Sequence, residues 1–229
     1  MLEEWLNPIE VSSFTRDYLR TQPHASPSTA SCAMPIFGWD TLDRLLIRNP
    51  PDVLVVARGK LLEVPTPRTL SETLDLLTSG VSLVIRRAER LDPGVAGLAA
   101  SVTRHIPGEV HVQLIVTPAG TYGFGWHYDD EDVFIVQTEG SKDYFFRDNI
   151  VERERPAGTA PDFTRFVNEA SPIGTARLLA GDWLYIPARW WHAAKCLEDS
   201  LSISLGIFPD PDCTTIKSFD ELNSIVKVI

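Results

Sequence analysis

Residues 127–142 of the chain read HYDDEDVFIVQTEGSK. A histidine and an aspartate, His127 and Asp129, stand two positions apart at the start of this stretch. Side chains at positions i and i+2 of an extended strand point the same way, so these two can face one metal ion. The β-branched and apolar run Asp132–Thr138 follows, and the turn signal Glu139-Gly140-Ser141 separates it from a second run. The stretch predicts two short strands joined by a turn, with a candidate metal site at their start.

Short strands of this kind recur throughout the second half of the chain. The predicted strands are Val110–Thr117, Asp132–Thr138, Lys142–Phe146, Ala176–Leu179, Trp183–Ile186 and Ser200–Phe208. Regular short strands separated by Gly and Pro turns are typical of all-β sandwiches and barrels. Residues 148–173, which contain several prolines, form a long insertion between strands, and long loops of this kind often serve as lids or binding loops.

The first half of the chain has a mixed character. Its patterns predict helices over 38–47, 69–78 and 93–105 and strands over 52–58 and 81–86, while 23–31 is interpreted as an extended surface segment. The length of 229 residues fits one large domain. We therefore expect a single domain over 1–229, mainly β with N-terminal helices. An α/β elaboration (1–105) precedes a barrel core (106–210) and a short C-terminal helix (211–229).

A third candidate ligand lies further along the chain. The stretch GDWLYIPARWWH (181–192) starts a strand at a Gly-Asp turn and ends on His192. Two histidines and one carboxylate cover one face of a metal ion and leave the other positions open, as in non-haem Fe(II) oxygenases. A structural zinc ion would require a fourth protein ligand. Cys196 is the one nearby soft candidate, and we interpret it as a core residue.

Lys142 stands between the Gly140-Ser141 turn and the apolar residues 144–146. A lysine in a strand is usually a solvated edge residue. Inside a barrel, a buried ammonium group needs an anion to offset its desolvation. An acidic cosubstrate would supply that negative charge.

The charge balance limits the classes of partner. The formal net charge of −10 argues against sequence-independent binding to nucleic acid, which depends on a basic surface. A basic peptide remains compatible, because opposite charges steer encounter. The acidic run 130–132 is interpreted as a solvated loop, and the alternative interpretation is a contact for a cationic substrate.

Three cysteines, Cys32, Cys196 and Cys213, lie far apart with no CxxC pair. This pattern fits a reducing compartment and excludes a zinc site made of cysteines alone. The acidic N-terminus MLEEWLNPIE lacks the apolar segment of a signal peptide, and no apolar run approaches the ~18 residues that span a bilayer. We therefore predict a cytoplasmic protein with no membrane partner.

Together, HYDDEDVFIVQTEGSK (127–142), GDWLYIPARWWH (181–192) and SLSISLGIF (200–208) resemble the JmjC-type Fe(II)- and 2-oxoglutarate-dependent oxygenases. Among these, the chain is most similar to the ribosomal oxygenases, a subgroup of protein hydroxylases. The resemblance covers roughly residues 80–208 and implies a double-stranded β-helix of the jelly-roll, cupin/JmjC type. It implies His127, Asp129 and His192 as catalytic iron ligands. Lys142, Gln113 and Ser204 would be the residues that bind 2-oxoglutarate.

The resemblance also implies an activity. Using O2 and 2-oxoglutarate, the enzyme would hydroxylate an amino-acid side chain of a protein, a peptide or an amino-acid-like substrate and release succinate and CO2. Oxidative N-demethylation and hydroxylation of a small natural product are alternatives within the same chemistry. A catalytically silent binding module is an alternative of another class, and cupin isomerases or storage proteins usually show more histidines at the metal. Proteins of this subgroup carry a dimerisation region after the barrel, and a homodimer stays open here.

Overall fold

The computed structural model describes residues 1–48, 52–156 and 159–208. The α-helices of these ranges lie in the first half of the chain: α1 (Leu2–Leu6), α2 (Val11–Asp17), α3 (Trp39–Ile47), α4 (Leu70–Thr78) and α5 (Pro93–Thr103). Short 3-10 helices occur at Ser31–Ile36, Ala88–Arg90 and Phe163–Asn168. No helix in the described ranges is long and apolar enough to cross a membrane.

The strands form two antiparallel sheets. They are β1 (His24–Ser26), β2 (Val53–Ala57), β3 (Lys60–Leu61), β4 (Ser82–Ile85), β5 (Glu109–Thr117), β6 (Asp132–Glu139), β7 (Ser141–Arg147), β8 (Gly174–Leu179), β9 (Trp183–Ile186), β10 (Trp191–Cys196) and β11 (Ser200–Phe208). The large sheet has the order β1-β9-β6-β11-β5-β4-β2-β3, and the small sheet has the order β10-β7-β8. The barrel core is thus a jelly roll of two sheets rather than one closed sheet.

The turn at Gly140 connects the large sheet to the small sheet. Strand β6 pairs with β9 and β11 in the large sheet, whereas β7 pairs with β8 and β10 in the small sheet. Gly140 has a positive φ of 68°, and a Cβ atom there would collide with the carbonyl oxygen of Asp199. Only glycine satisfies both conditions. The pattern of two strands joined by a turn was therefore predicted correctly, although these strands do not pair with each other.

Side chains along the strands of the large sheet point alternately to its two faces, and the two faces have different surroundings. Apolar residues at every second position face the N-terminal helices and are almost fully buried: Val112, Leu114, Val116, Leu201, Ile203, Leu205 and Ile207. Burying each such side chain contributes about 1.5–3 kcal/mol. The residues between them face the small sheet, and all but one of them are small or polar: Gln113, Ile115, Thr117, Ser202, Ser204 and Gly206.

The N-terminal half is built onto the same large sheet. Strand β4 pairs with β5, so β2, β3 and β4 extend the sheet of the core strands. Helix α4 begins at Thr69, whose side chain accepts a hydrogen bond from the amide of Glu72, and Asp92 caps α5 in the same way. These predicted helices and strands are confirmed within a few residues. The division of the domain into three parts stays a prediction, and the predicted helix over 211–229 lies outside the described residues.

The first 35 residues contain structure that the sequence did not reveal. Helices α1 and α2 have only 5 and 7 residues, too few for a clear apolar period. They are held by burial of Trp5 and Phe14, both with 0% exposure, in the main core. Part of the segment interpreted as an extended surface stretch pairs with β9 as strand β1. Tertiary packing, rather than local propensity, determines these elements.

Candidate metal centre

A cavity of about 540 Å³ lies between the two sheets. Its walls come from the inward faces of the core strands, from the segment before β6 and from the insertion that follows β7. The side chains that line it include Gln113, Thr117, Phe124, Trp126, His127, Asp129, Glu131, Lys142, Phe163, Phe166, Val167, His192, Cys196 and Ser204. All six residues singled out from the sequence as candidate site residues therefore line one cavity.

The three candidate metal ligands meet at the cavity wall. His127 and His192 are joined by an isolated antiparallel bridge, in which each backbone amide donates to the other residue's carbonyl oxygen, at 3.1 and 2.8 Å. Their ring centroids are 4.2 Å apart. The Nε2 atom of His192 lies 3.4 Å from Oδ2 of Asp129, and one ligand atom from each of the three residues lies within 4.8 Å of the others. Close convergence of two imidazoles and a carboxylate is the arrangement that a divalent cation requires.

Hydrogen bonds to the backbone fix the orientation of both imidazole rings. Nδ1 of His127 lies 2.9 Å from the carbonyl oxygen of Gly125, and Nδ1 of His192 lies 3.0 Å from that of Trp190. A carbonyl oxygen only accepts, so Nδ1 carries the proton in each ring. The lone pair of a neutral imidazole is then on Nε2, which is the usual way that a protein prepares a histidine for a metal. The donor set therefore fits a metal ion.

The electrostatics of His127 and Asp129 favour the protonation states that bind metal, whereas those of His192 favour its protonated form, from which a metal ion would displace the Nε2 proton. Burial, and then the charge of His192, lowers the pKa of His127 to about 4. Burial opposes ionisation of Asp129, but the hydrogen bond from His192 and the charges of both histidines outweigh it and lower its pKa. The pKa of His192 is raised, because the hydrogen bond and charge of Asp129 outweigh the effect of burial. His127 is thus neutral and Asp129 ionised near neutral pH, as metal ligation requires.

The local structure around Asp129 differs from the extended geometry that we assumed for positions i and i+2. His127 forms only the bridge to His192, and Asp129 lies in the loop that leads into β6. The carbonyl oxygen of Asp129 accepts a 2.6 Å hydrogen bond from the amide of Arg189, a residue with a positive φ of 65°. The two residues therefore do not belong to a regular strand, and hydrogen bonds between the loops before β6 and β10 fix their position instead. The two side chains converge nevertheless.

Lys142 lies on β7 and is buried, with 3% exposure, so it is not a solvated edge residue. Its Nζ atom donates to two hydroxyl groups, Oγ of Ser202 at 2.9 Å and Oγ1 of Thr117 at 3.3 Å. Within the described residues no carboxylate forms an ion pair with it, and burial lowers its pKa. A buried ammonium group held by neutral hydroxyls retains an uncompensated charge, which an anion in the cavity would neutralise.

Gln113 and Ser204 stand directly opposite each other on β5 and β11. Both side chains are half-buried and line the cavity. Neither makes a side-chain hydrogen bond within the part of the chain that the structure describes, so both remain free for a ligand. Their role in binding a cosubstrate stays a prediction. Cys196 pairs with Lys142 in the β10–β7 register, and with 1% exposure it is buried in the cavity wall.

The acidic run 130–132 is not the solvated loop that we predicted. Asp132 is 2% exposed and accepts hydrogen bonds from the Tyr185 hydroxyl at 2.5 Å and from the Ala188 amide at 3.2 Å. Glu131 is 5% exposed and lines the cavity. Burial, and then the charge of Asp129, raises the pKa of Glu131 well above its usual value. The alternation of side chains along a strand could have revealed this, because Glu131 stands two and four positions before Val133 and Ile135, which also line the cavity.

The insertion 148–173 forms an aromatic side of the cavity. Phe163, Phe166 and Val167 line it, and the Phe166 ring stacks on Trp126 with centroids 4.5 Å apart. The insertion is anchored to the core, because the Tyr128 hydroxyl donates to the carboxylate of Glu152. The placement agrees with a binding loop, and closure as a lid stays a prediction.

Comparison with known proteins adds three findings. A family model described as JmjC domain matches residues 93–215, more than half of the 229 residues. A Danio rerio protein named ribosomal oxygenase 1 is 28% identical over 218 residues, which are 90% of this chain and 40% of that protein. A Dictyostelium discoideum protein named bifunctional lysine-specific demethylase and histidyl-hydroxylase NO66 is 31% identical over 129 residues, which are 56% of this chain and 25% of that protein. The chain spans less than half of the length of these relatives.

Solved structures agree with the fold. Escherichia coli YcfD, described as a ribosomal oxygenase in complex with cobalt and 2-oxoglutarate, matches with a TM-score of 0.64 and 21% identity. The match covers 93% of this chain and 53% of that chain. The predicted fold class, mainly β with N-terminal helices and a double-stranded β-helix core, is confirmed.

Proposed function

Since the chain belongs to the JmjC domain family, we propose that it is an Fe(II)- and 2-oxoglutarate-dependent dioxygenase that hydroxylates an amino-acid side chain of a protein or peptide. One observation carries the proposal. Three converging candidate iron ligands and a buried lysine, which has no carboxylate partner among the described residues, line the same cavity. The first group suits a divalent metal, and the second suits a dianionic cosubstrate.

His127, Asp129 and His192 would hold the iron. Hydrogen bonds from Nδ1 to backbone carbonyls keep both rings turned so that Nε2 is available, and Asp129 supplies the negative charge. When bound, Fe(II) with three protein ligands supplies open positions at which 2-oxoglutarate and O2 react. The chain contributes the orientation of the ligands and a largely apolar cavity.

Lys142 would bind the distal carboxylate of 2-oxoglutarate. The hydroxyls of Ser202 and Thr117 hold its Nζ atom at one end of the cavity, so the ammonium group is in place before the anion arrives. Gln113 and Ser204, which stand opposite each other in the cavity wall, would contact the same cosubstrate. Preorganised charge in a buried site is worth more than the same charge in water.

The overall reaction balances without a further reductant. One oxygen atom of O2 enters a C–H bond of the substrate, the other enters succinate, and the first carboxyl group of 2-oxoglutarate leaves as CO2. The aromatic side chains of Trp126, Phe163 and Phe166 would limit access of water to the reacting groups.

The relatives support a protein substrate. The zebrafish relative is named a ribosomal oxygenase, and the neighbouring YcfD structure holds cobalt and 2-oxoglutarate. A protein or peptide substrate and a cytoplasmic location, which the free cysteines Cys32 and Cys196 favour, are part of the same proposal.

Oxidative N-demethylation is the second candidate. The Dictyostelium relative carries both demethylase and hydroxylase in its name. Oxidation of an N-methyl carbon would release formaldehyde, whereas hydroxylation adds one oxygen atom to the product. Formaldehyde detection and product mass therefore separate the two reactions.

The test is iron-dependent conversion of 2-oxoglutarate. The purified chain is loaded anaerobically with Fe(II) and 2-oxoglutarate and exposed to O2, and succinate is then quantified. We expect succinate from the wild type and from His105→Ala, whose histidine lies outside the cavity, but not from His127→Ala. Failure of the wild type to bind iron and 2-oxoglutarate would contradict the proposal.

A further inference from the structure

Glu131 has a chemical environment that the proposed reaction does not explain. Its side chain is 5% exposed and lines the cavity. Within the described part of the chain, its carboxylate forms no ion pair, and the one hydrogen bond it receives comes from its own backbone amide. A buried carboxylate without a partner is costly, and natural proteins usually pair such a group with a cation, a donor or a metal.

The metal does not account for Glu131. The ligand atoms that converge within 4.8 Å belong to His127, Asp129 and His192, and Glu131 is not a member of that group. The side chain lies against β11 instead, where a Cβ atom at Gly206 would be 3.1 Å from Cγ of Glu131 and 3.3 Å from Oε1. Glycine at 206 leaves room for this carboxylate in the cavity wall.

Glu131 and Lys142 lie at different levels of the cavity. Lys142 contacts Ser202 on β11, whereas Glu131 contacts Gly206 on the same strand. Four residues of an antiparallel strand span roughly 14 Å, at about 3.4 Å per residue. The cavity therefore holds the Lys142 amino group at one level and the Glu131 carboxyl group at another, and a cosubstrate bound at Lys142 leaves Glu131 without a partner among the described residues.

We propose that Glu131 is a specificity-determining residue that binds a cationic group, an ammonium or a guanidinium, on the substrate residue that is oxidised. This inference rests on the proposed function, since it assumes that the cavity admits a substrate side chain beside the metal. Aromatic residues of the cavity, Phe124, Trp126 and Phe166, suit such a side chain, because their ring faces attract cations and their surfaces pack against methylene stems.

The experiment compares cationic and neutral peptides of matched shape. The full chain is loaded with Mn(II), which replaces iron, and with 2-oxoglutarate in the absence of O2. Binding of acetyl-Gly-X-Gly-amide is measured by calorimetry, where X is lysine, norleucine, arginine or citrulline. The proteins are the wild type, Glu131→Gln and Glu63→Gln, whose glutamate is exposed and outside the cavity.

The wild type and Glu63→Gln should bind the lysine or the arginine peptide at least about tenfold more tightly than its neutral counterpart, as expected for a charge-assisted hydrogen bond. Glu131→Gln should reduce this preference to about twofold or less, since the amide keeps the shape and loses the charge. Which of the two cations binds more tightly identifies the substrate group.

Two results would overturn the inference. One is a wild type without preference for either cation, and the other is a preference that Glu131→Gln retains. Succinate release, measured in parallel, keeps the two proposals apart. If the wild type releases succinate in an iron-dependent way and Glu131→Gln keeps the preference for cationic peptides, only the role of Glu131 is refuted. If Glu131→Gln loses that preference but the wild type releases no succinate, only the oxygenase activity is refuted.

Discussion

The two faces of the large sheet differ in the residues that they carry, although the same strands supply both. On the outer face, every second residue of β5 and β11 is a buried aliphatic side chain packed against the N-terminal helices. On the inner face, the intervening residues include Gln113, Ser202, Ser204 and Gly206, which surround a cavity. The outer face thus supplies much of the stability, and the inner face is left free to hold ligands.

This division explains how the fold stays stable with polar and ionisable groups buried on the inner face. Lys142 and Glu131 are both buried without an ion-pair partner in the described part of the chain, and each lowers the stability of the ligand-free fold. The aliphatic outer face offsets that cost. Substitutions on the two faces should therefore separate stability from ligand binding.

The largest effect is expected for Asp129 on the inner face. Asp129→Ala removes the only carboxylate of the three converging ligands, so iron binding and iron-dependent succinate release should fall to background. The melting temperature without metal should stay close to that of the wild type. Asp40→Ala, at an exposed position of α3, is the control and should keep its activity. Full succinate release by Asp129→Ala would remove the basis for the metal site.

On the outer face, Leu205→Ala should affect stability instead. Leu205 is 0% exposed in the main core, and truncating such a side chain costs about 2–5 kcal/mol of unfolding free energy. Urea unfolding measures this cost. Activity per folded molecule at low temperature should be close to that of the wild type. A stable Leu205→Ala protein with lost succinate release would contradict the separation of the two faces.

Lys142→Met should weaken cosubstrate binding without destabilising the fold. Loss of the ammonium group should reduce the affinity for 2-oxoglutarate by about 10- to 100-fold, which corresponds to about 1.4–2.8 kcal/mol. Because the substitution removes an uncompensated buried charge, the melting temperature should stay equal or rise. Calorimetric titration of the Mn(II) form gives the affinity, with the exposed Lys60→Met as control. Unchanged affinity would place 2-oxoglutarate elsewhere.

The smallest effect is expected for Ser204→Ala. The Ser204 hydroxyl has no hydrogen-bond partner in the described residues, so the unfolding free energy should change by less than about 0.5 kcal/mol. Affinity for 2-oxoglutarate should fall by a few-fold at most. Thermal unfolding and the same calorimetric titration measure both values. A large loss of stability would show that the inner face also carries structural contacts at this strand.

Much of this organisation is readable from the sequence. SLSISLGIF (200–208) alternates small or polar residues with aliphatic ones, and the structure follows that alternation along the whole of β11. The candidate ligands His127, Asp129 and His192 were likewise predicted from their residue types and neighbours, whereas the place of Lys142 in the site was implied by the family resemblance. Local patterns were sufficient wherever the buried apolar residues of an element recur with the period of a helix or a strand.

Other features depend on contacts between distant segments. Helices α1 and α2 exist because Trp5 and Phe14 pack in the main core, and their own length is too short to give a signal. The acidic run 130–132 was misinterpreted because a cluster of charges usually indicates a solvated loop. In the structure, Glu131 continues the inward face of β6, and the Tyr185 hydroxyl binds Asp132 from another strand.

The most direct test of the account is a crystal structure of the chain with Mn(II) and 2-oxoglutarate, grown without O2. We expect the metal to contact His127, Asp129 and His192, and the distal carboxylate of 2-oxoglutarate to contact Lys142, with both ligands on the inner face. Metal bound through Glu131, or 2-oxoglutarate bound away from Lys142, would contradict the assignment of this cavity as the site of catalysis.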